Sequence, residues 1–404
     1  MLERSIGGMR LGRGGIAFEL ERAAQSHNLV RIDGWNVECR AKTRLIVARG
    51  RARTYSEAVR NGRDRAERAM DLWSVKGIED LRLSEPTTEH VAWWRSSRHH
   101  IIRIVSNSHL TLGFNMNVTV KDASGKVVRS RPPSPEWNES FRFFRLSQTT
   151  TDLFDAYRNA YLALEAILSQ VVAQKVRTTG VPAESERDWF TRALRASGIP
   201  LAMYAPARVP DPAIHLFDEI YIGSRVRVFH AKAGRPTLLP QEEVNRRTVV
   251  AALRKTRDVY LAVVEATTNV GRRQRSSLFR GAFREMVERV YRDMRIAVSP
   301  DRSPADEDVP VVSPAGDPYV ILPNIAPIAW GPGNSFRASR LAWADAKDLV
   351  AIPHIGRATS INDVGQALQS TILYGDLVFD TTDRLEVQLG LELSMGQQLR
   401  DRYA

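Results

Sequence analysis

Cysteine is almost absent from this chain of 404 residues, where Cys39 stands alone. One thiol builds neither an intramolecular disulfide nor a Cys-based zinc cluster, so nothing points to an oxidising compartment and a cytoplasmic location is expected. Long apolar runs are missing too, since none approaches the ~20 residues that a membrane-spanning helix needs. The start, Met-Leu-Glu-Arg followed by Gly7, Gly8, Gly12, Gly14 and Gly15, lacks the apolar core of a signal peptide. A soluble protein with no membrane partner is expected. Lysine is scarce: of 58 basic residues only eight are lysine, against 46 acidic residues, for a net charge of +12 and a pI of about 10.1. That excess favours a polyanionic partner such as RNA, because phosphate neutralisation supplies most non-specific nucleic-acid affinity. The arginine skew fits genomic base composition equally well, so charge by itself leaves the RNA partner open.

Several chemistries lack their motifs. The histidines show no His-Glu-x-x-His spacing, and Ser124-Gly125-Lys126 has no upstream glycine to make a Walker loop. Gly223-Ser224-Arg225 is not a nucleophile elbow, and Asp306, Glu307 and Asp308 sit in a Pro-rich stretch that reads as a solvated loop. Neither a metal site nor a cofactor is expected.

What is present is an ordinary globular balance, with 43% hydrophobic and 26% charged residues, enough for two or three cores. Residues 1–15 read as a flexible Gly/Arg-rich tail. In 16–147, Ile16, Phe18 and Leu20 alternate, as do Trp35, Val37 and Cys39, and a helix capped by Ser56 follows, so an α+β domain is predicted. Over 150–296 helices are predicted at 152–176, 185–197, 211–232 and 241–269, with another carrying Phe279 to Met294. Short Gly- and Pro-containing breaks between them imply a central all-α bundle of four to five helices. Residues 297–404 read as β-rich, from the alternation of Leu385, Val387, Leu389, Leu391 and Leu393, with a small helix near Asn362 to Ser370. The predicted class is thus multidomain α+β, a helical bundle flanked by an N-terminal α+β and a C-terminal β-rich domain.

On a wheel turning about 100° per residue, Glu165 falls inside the apolar arc of Phe154, Tyr157, Tyr161, Leu164, Leu168 and Val172. A carboxylate there needs a cationic or multiply donating partner. The helix from 211 carries one stripe of Ile214, Phe217, Tyr221 and Val228 and a second of Ile222, Val226 and Phe229. Burial on two sides suits a homodimer through the second stripe, which Arg225 and His230 flank.

The segment Tyr221-Ile222-Gly223-Ser224-Arg225-Val226-Arg227-Val228-Phe229-His230-Ala231-Lys232 resembles the signature of the HEPN superfamily, an Arg followed by four to six residues and a His near a helix end. Tyr157 to Leu168, with Glu165, is similar to that family's first bundle helix. The resemblance covers about 120 residues and implies a HEPN-like bundle in a dimeric, metal-independent endoribonuclease of abortive-infection, toxin or CRISPR-associated systems. Some members are inactive binding modules, and the MauJ-like proteins of methylamine utilisation are a weaker likeness. At one position the chain departs, because Val226 stands where active members usually carry a polar residue.

The chemistry suits the two residue types. Attack of a 2′-hydroxyl on the adjacent phosphorus needs a base, an acid for the 5′-oxygen and a cation for the developing charge. Histidine titrates near neutrality and can serve as base or acid, while the planar fork of Arg225 holds two phosphate oxygens. Glu165 would orient Arg225, and Arg227, Lys232 and Arg235 would steer the RNA backbone. The alternative is a non-catalytic dimerisation or ligand-binding protein, perhaps of a metabolic gene cluster, with Arg225 as a structural ion-pair partner and His230 as a helix cap.

Overall fold

The computed structural model describes residues 3–84, 89–112, 137–150, 152–176, 183–229, 237–239, 242–268, 270, 280–302, 319–331, 336–349, 351–362 and 367–395. The chain opens with β1 (Ser5–Ile6), β2 (Met9–Arg10), β3 (Gly14–Glu19), β4 (Asn28–Ile32), β5 (Trp35–Cys39) and β6 (Leu45–Gly50). Helix α1 (Tyr55–Val75) leads to β7 (His90–Arg95) and β8 (His100–Leu112). Next come α2 (Ser140–Thr149), α3 (Leu153–Val171), α4 (Glu186–Ala196), α5 (Pro212–Phe217), a π-helical turn over Asp218–Arg225, α6 (Val226–Phe229) and α7 (Glu243–Thr267). After α8 (Arg280–Arg292) the strands return as β9 (Arg295–Ser299), β10 (Val320–Ile321), β11 (Asn324–Ile325), β12 (Ala329–Trp330), β13 (Arg337–Asp345), β14 (Ile355–Ile361), β15 (Ala367–Val378) and β16 (Asp383–Met395).

These elements form two compact units, Met1–Gly113 with Ser276–Gly396, and Phe114–Arg275 with Gln397–Ala404. The first holds two sheets. One runs β10-β9-β14-β15-β1-β2, the other β11-β13-β16-β8-β7-β3-β6-β5-β4 with β12 beside β13. Among the described residues the pairings are antiparallel except that of β8 with β16, which runs parallel from His100 opposite Asp383 to Leu112 opposite Met395. The Arg4 guanidinium adds a second tie between the two ends of the chain, donating from Nε to both Asp383 carboxylate oxygens at 2.7 and 2.8 Å.

The larger sheet is buried on both faces, which explains why β3 is apolar almost throughout. Ala17, Val47, Val91 and Trp93 point into a core shared with Ile296, Val298 and Leu377 of the smaller sheet and with Phe283 and Val287 of α8. Ile16, Phe18, Ala48 and Trp94 point the other way, against Ala58, Ala66, Ala69 and Trp73 of α1. Small residues let that helix lie close. A Cβ on Gly62 would clash with Ile16 Cγ2. The N-cap of α1 is Thr54, which accepts from the Glu57 N–H, in place of the expected Ser56. No helix among the described residues is long and apolar enough to cross a membrane.

The expected architecture needs correction. The chain is not organised around a central all-α bundle of four to five helices with separate flanking domains, but is a mixed α+β protein dominated by two large, mostly antiparallel sheets. Its first and last stretches share one unit and one core. Residues 5–11, expected in a flexible tail, supply β1 and β2, with Met9 and Leu11 fully buried. Residues 367–370, expected as helix, belong to β15. The expected helix at 211–232 is interrupted after Phe217 by the π-helical turn.

Candidate functional site

The residues singled out around Arg225 lie in the second unit, on α3 and on the broken helix that starts at Pro212. Asp152 caps α3 by accepting from the Asp155 N–H, and Asp211 caps α5 by accepting from the Ala213 and Ile214 N–H groups, with Pro212 in the first turn where its missing N–H costs nothing. Tyr161, Leu164 and Leu168 of α3 join Phe190, Leu216, Phe217 and Tyr260 in one apolar cluster. The buried Tyr157 hydroxyl donates to the Ile220 carbonyl at 2.8 Å, tying the π-helical turn to α3.

Such turns wind wider than an α-helix and recur at functional sites. Here the turn ends on Arg225. Positions beyond Asp218 therefore fall where a 100° wheel does not place them, and the two-stripe expectation fails. Val228 and Phe229, assigned to opposite sides, pack against one cluster with Tyr157 and Leu253. Of the expected dimer stripe, Ile222 is 50% exposed, whereas the Phe229 ring meets the Tyr161 ring edge-on at 6.2 Å.

Arg225 is half-buried among aromatic rings. Its Cζ lies 5.0 Å from the Tyr221 ring centroid, 5.3 Å from that of Phe229 and 5.6 Å from that of Tyr161. Contacts of this kind hold the cation without consuming its N–H donors. Among the described residues only Nη1 finds an acceptor, the Tyr221 hydroxyl at a long 3.4 Å, and Nε is buried without one. Tyr161 shows the same want beside it, with a buried hydroxyl that has no hydrogen-bond partner among the described residues. Burial drives that phenol far above its ordinary range, so it stays protonated and able to donate.

Glu165 is half-buried on α3 and senses the Arg225 charge, but no hydrogen bond or ion pair joins the two among the described residues. The three rings hold Arg225, and Glu165 contributes field at a distance. Burial raises the Glu165 carboxyl above its usual range, the Arg225 guanidinium pulls it back, and Glu186 pushes it up again. A carboxyl shifted upward binds its proton more tightly folded than unfolded. Its stabilising contribution is full below the unfolded value of about 4.5 and is lost as pH rises through the folded one. Glu165→Gln keeps the uncharged state, so it should raise the thermal midpoint at pH 7 and leave it near wild type at pH 4. A lower midpoint at pH 7 would show that the charge stabilises the fold.

Of the remaining candidates, Arg227 is half-buried and its Nε lacks an acceptor among the described residues. His230, Lys232 and Arg235 lie outside the described residues. No protein-family model matches the chain, and neither a curated protein nor a solved structure matches it. The likeness to the HEPN superfamily therefore rests on the two sequence segments alone. What sequence reasoning missed is the ring set of Tyr161, Tyr221 and Phe229, which reads as ordinary core at helical spacing. Only the position of Arg225 near all three rings sets them apart.

Proposed function

We propose that this chain is a metal-independent endoribonuclease in which Arg225 holds the phosphate and His230 moves the proton. The observation that supports the reading is that two buried donors, Arg225 Nε and Tyr161 Oη, lack acceptors among the described residues, where the Arg225 guanidinium has no carboxylate partner either. Buried donors of this kind are costly unless something accepts from them, and a phosphate offers charged acceptor oxygens. The chemistry is a transesterification. The 2′-oxygen bonds to phosphorus as its proton passes to a base, and the bond to the 5′-oxygen breaks as that oxygen takes a proton. The products are a 2′,3′-cyclic phosphate and a 5′-hydroxyl.

The test is cleavage of a mixed RNA pool in excess EDTA by the wild type and by folded Arg225→Ala and His230→Ala proteins. Cyclic-phosphate ends should appear with wild type, and each substitution should slow cleavage by about 10²-fold or more. Equal cleavage by all three proteins, or none by any, would overturn the assignment.

The second reading is a non-catalytic module that self-associates or binds a ligand through this helix, and the half-exposed Ile222 together with Val226 favours it. Under that reading Ile222→Asp abolishes a dimer seen by sedimentation, while RNA stays intact.

A further inference from the structure

The winding of the helix that carries Arg225 depends on hydroxyl groups. An α-helix bonds each N–H to the carbonyl four residues back, but the Val226 N–H donates to the Tyr221 carbonyl, five back. The Ser224 hydroxyl also reaches five back, to the Glu219 carbonyl at 3.2 Å. Between those two carbonyls lies that of Ile220, which accepts from the Tyr157 hydroxyl of α3 at 2.8 Å. A side chain that enters the ladder of helix hydrogen bonds is one of the few causes of a break in its winding. Tyr157 is fully buried. Burial drives its phenol far above the ordinary range, with the Thr256 and Ser224 hydroxyls and the Arg225 charge pulling it back, so it keeps its proton and can donate it. A buried donor is costly without an acceptor, and the Ile220 carbonyl supplies one.

The register of this turn decides what surrounds Arg225. A turn closed five residues back holds one residue more than a turn closed four back. Rewound as an α-helix, the stretch would rotate everything after it by about 100° and move it by about 1.5 Å along the axis. Tyr161 would not follow, because it belongs to α3, one turn beyond Tyr157. Arg225, with its Cζ 5.6 Å from the Tyr161 ring centroid, and Phe229, whose ring meets that ring edge-on at 6.2 Å, would both be carried away from it.

We propose that Tyr157 is a positioning residue, whose hydroxyl keeps the helix in its widened register and thereby holds Arg225 against Tyr161. Its effect on cleavage rests on the ribonuclease reading, whereas its effect on the place of Arg225 needs no RNA. One α3 face then does two things. Tyr157 fixes the winding, and Tyr161 receives the guanidinium that the winding delivers.

Tyr157→Phe keeps the ring and removes the hydroxyl. In the full chain without RNA, the Arg225 Nε–H proton signal, shielded by the three rings, should move in Tyr157→Phe toward that of the exposed Arg208, and the backbone signals of Asp218–Arg225 should change with it. Tyr260→Phe removes an equally buried hydroxyl, one that bonds to Ser140 of α2 at 3.1 Å, and should leave the Arg225 signal in place. Deleting Gly223, which has no side chain to lose, takes the extra residue out of the turn. In that background Arg225 should stay against Tyr161 whether residue 157 carries a hydroxyl or not. An unmoved Arg225 signal in folded Tyr157→Phe, an equal move in Tyr260→Phe, or a move that the Gly223 deletion does not reverse would each overturn the proposal. Should Tyr157→Phe fail to fold, the same substitution in the Gly223-deleted chain should fold, and failure there would overturn it too. RNA cleavage is read separately, and Tyr157→Phe should slow it by about 10²-fold. A moved Arg225 signal with no cleavage even by wild type would sink the ribonuclease reading and leave the role of Tyr157 standing.

Discussion

A fragment of residues 1–113 should fail to fold by itself, one of residues 276–396 should fail likewise, and the two mixed should recover native-like structure. The reason is the pairing of β8 with β16. Every residue from His100 to Leu112 faces a partner between Asp383 and Met395. Without that partner β8 is a long, flat edge of unpaired N–H and C=O groups carrying Ile102 and Ile104, which invites aggregation. The core is divided in the same way. Val91, Trp93 and Ile102 come from the first fragment, and Ile296, Leu377, Leu385 and Val387 from the second, so neither fragment can remove its apolar face from water. Two charged contacts cross the same seam, Arg4 with Asp383 and Arg103 with Glu386 at 2.6 Å. Amide proton spectra of the separate and mixed fragments decide the matter. A dispersed spectrum from residues 1–113 alone would mean that the shared sheet is not what folds this region.

Replacing Trp93 by alanine should cost about 3–5 kcal/mol, the usual range for emptying a large aromatic site in a core that relaxes only partly. Trp93 is fully buried in β7, and its Nε1 donates to the Leu11 carbonyl at 2.6 Å. Leu11 is itself fully buried, so the substitution also leaves a carbonyl without a donor. Trp93→Phe separates the two effects, since it keeps much of the apolar volume and loses the N–H, for about 1–3 kcal/mol. Chemical denaturation should show the midpoint falling in the order wild type, Trp93→Phe, Trp93→Ala, with the slope unchanged. Leu29→Ala, at a side chain 58% exposed, should shift it far less. Equal shifts for Trp93→Ala and Leu29→Ala would mean that the region between the sheets is not a close-packed core.

The positions of individual elements were largely legible. Helical spacing predicts segments at 152–176, 185–197 and 241–269, and α3, α4 and α7 occupy Leu153–Val171, Glu186–Ala196 and Glu243–Thr267. The Leu385 to Leu393 alternation is β16. Helix α2 was missed because Ser147 to Thr151 reads as polar linker, whereas Ser147 is buried and its hydroxyl bonds to the Phe144 carbonyl. The candidate site was legible only in part. Arg225 and Glu165 stand out as charges beside apolar stripes, but the turn that aims Arg225 toward Tyr161 and Phe229 changes the helical period after the point where the pattern looks regular.

By itself the sequence determined the local period and which strand faces are apolar, because these depend on neighbours within one or two turns. Tertiary structure alone decided that the two ends of the chain form one sheet and one core, that the helix before Arg225 widens, and that Glu19 meets Arg44. Each of those outcomes turns on a pairing between residues far apart, as with Arg103 and Glu386, which are 283 positions apart. Alternation records that a strand has a buried face and carries no record of which strand lies beside it.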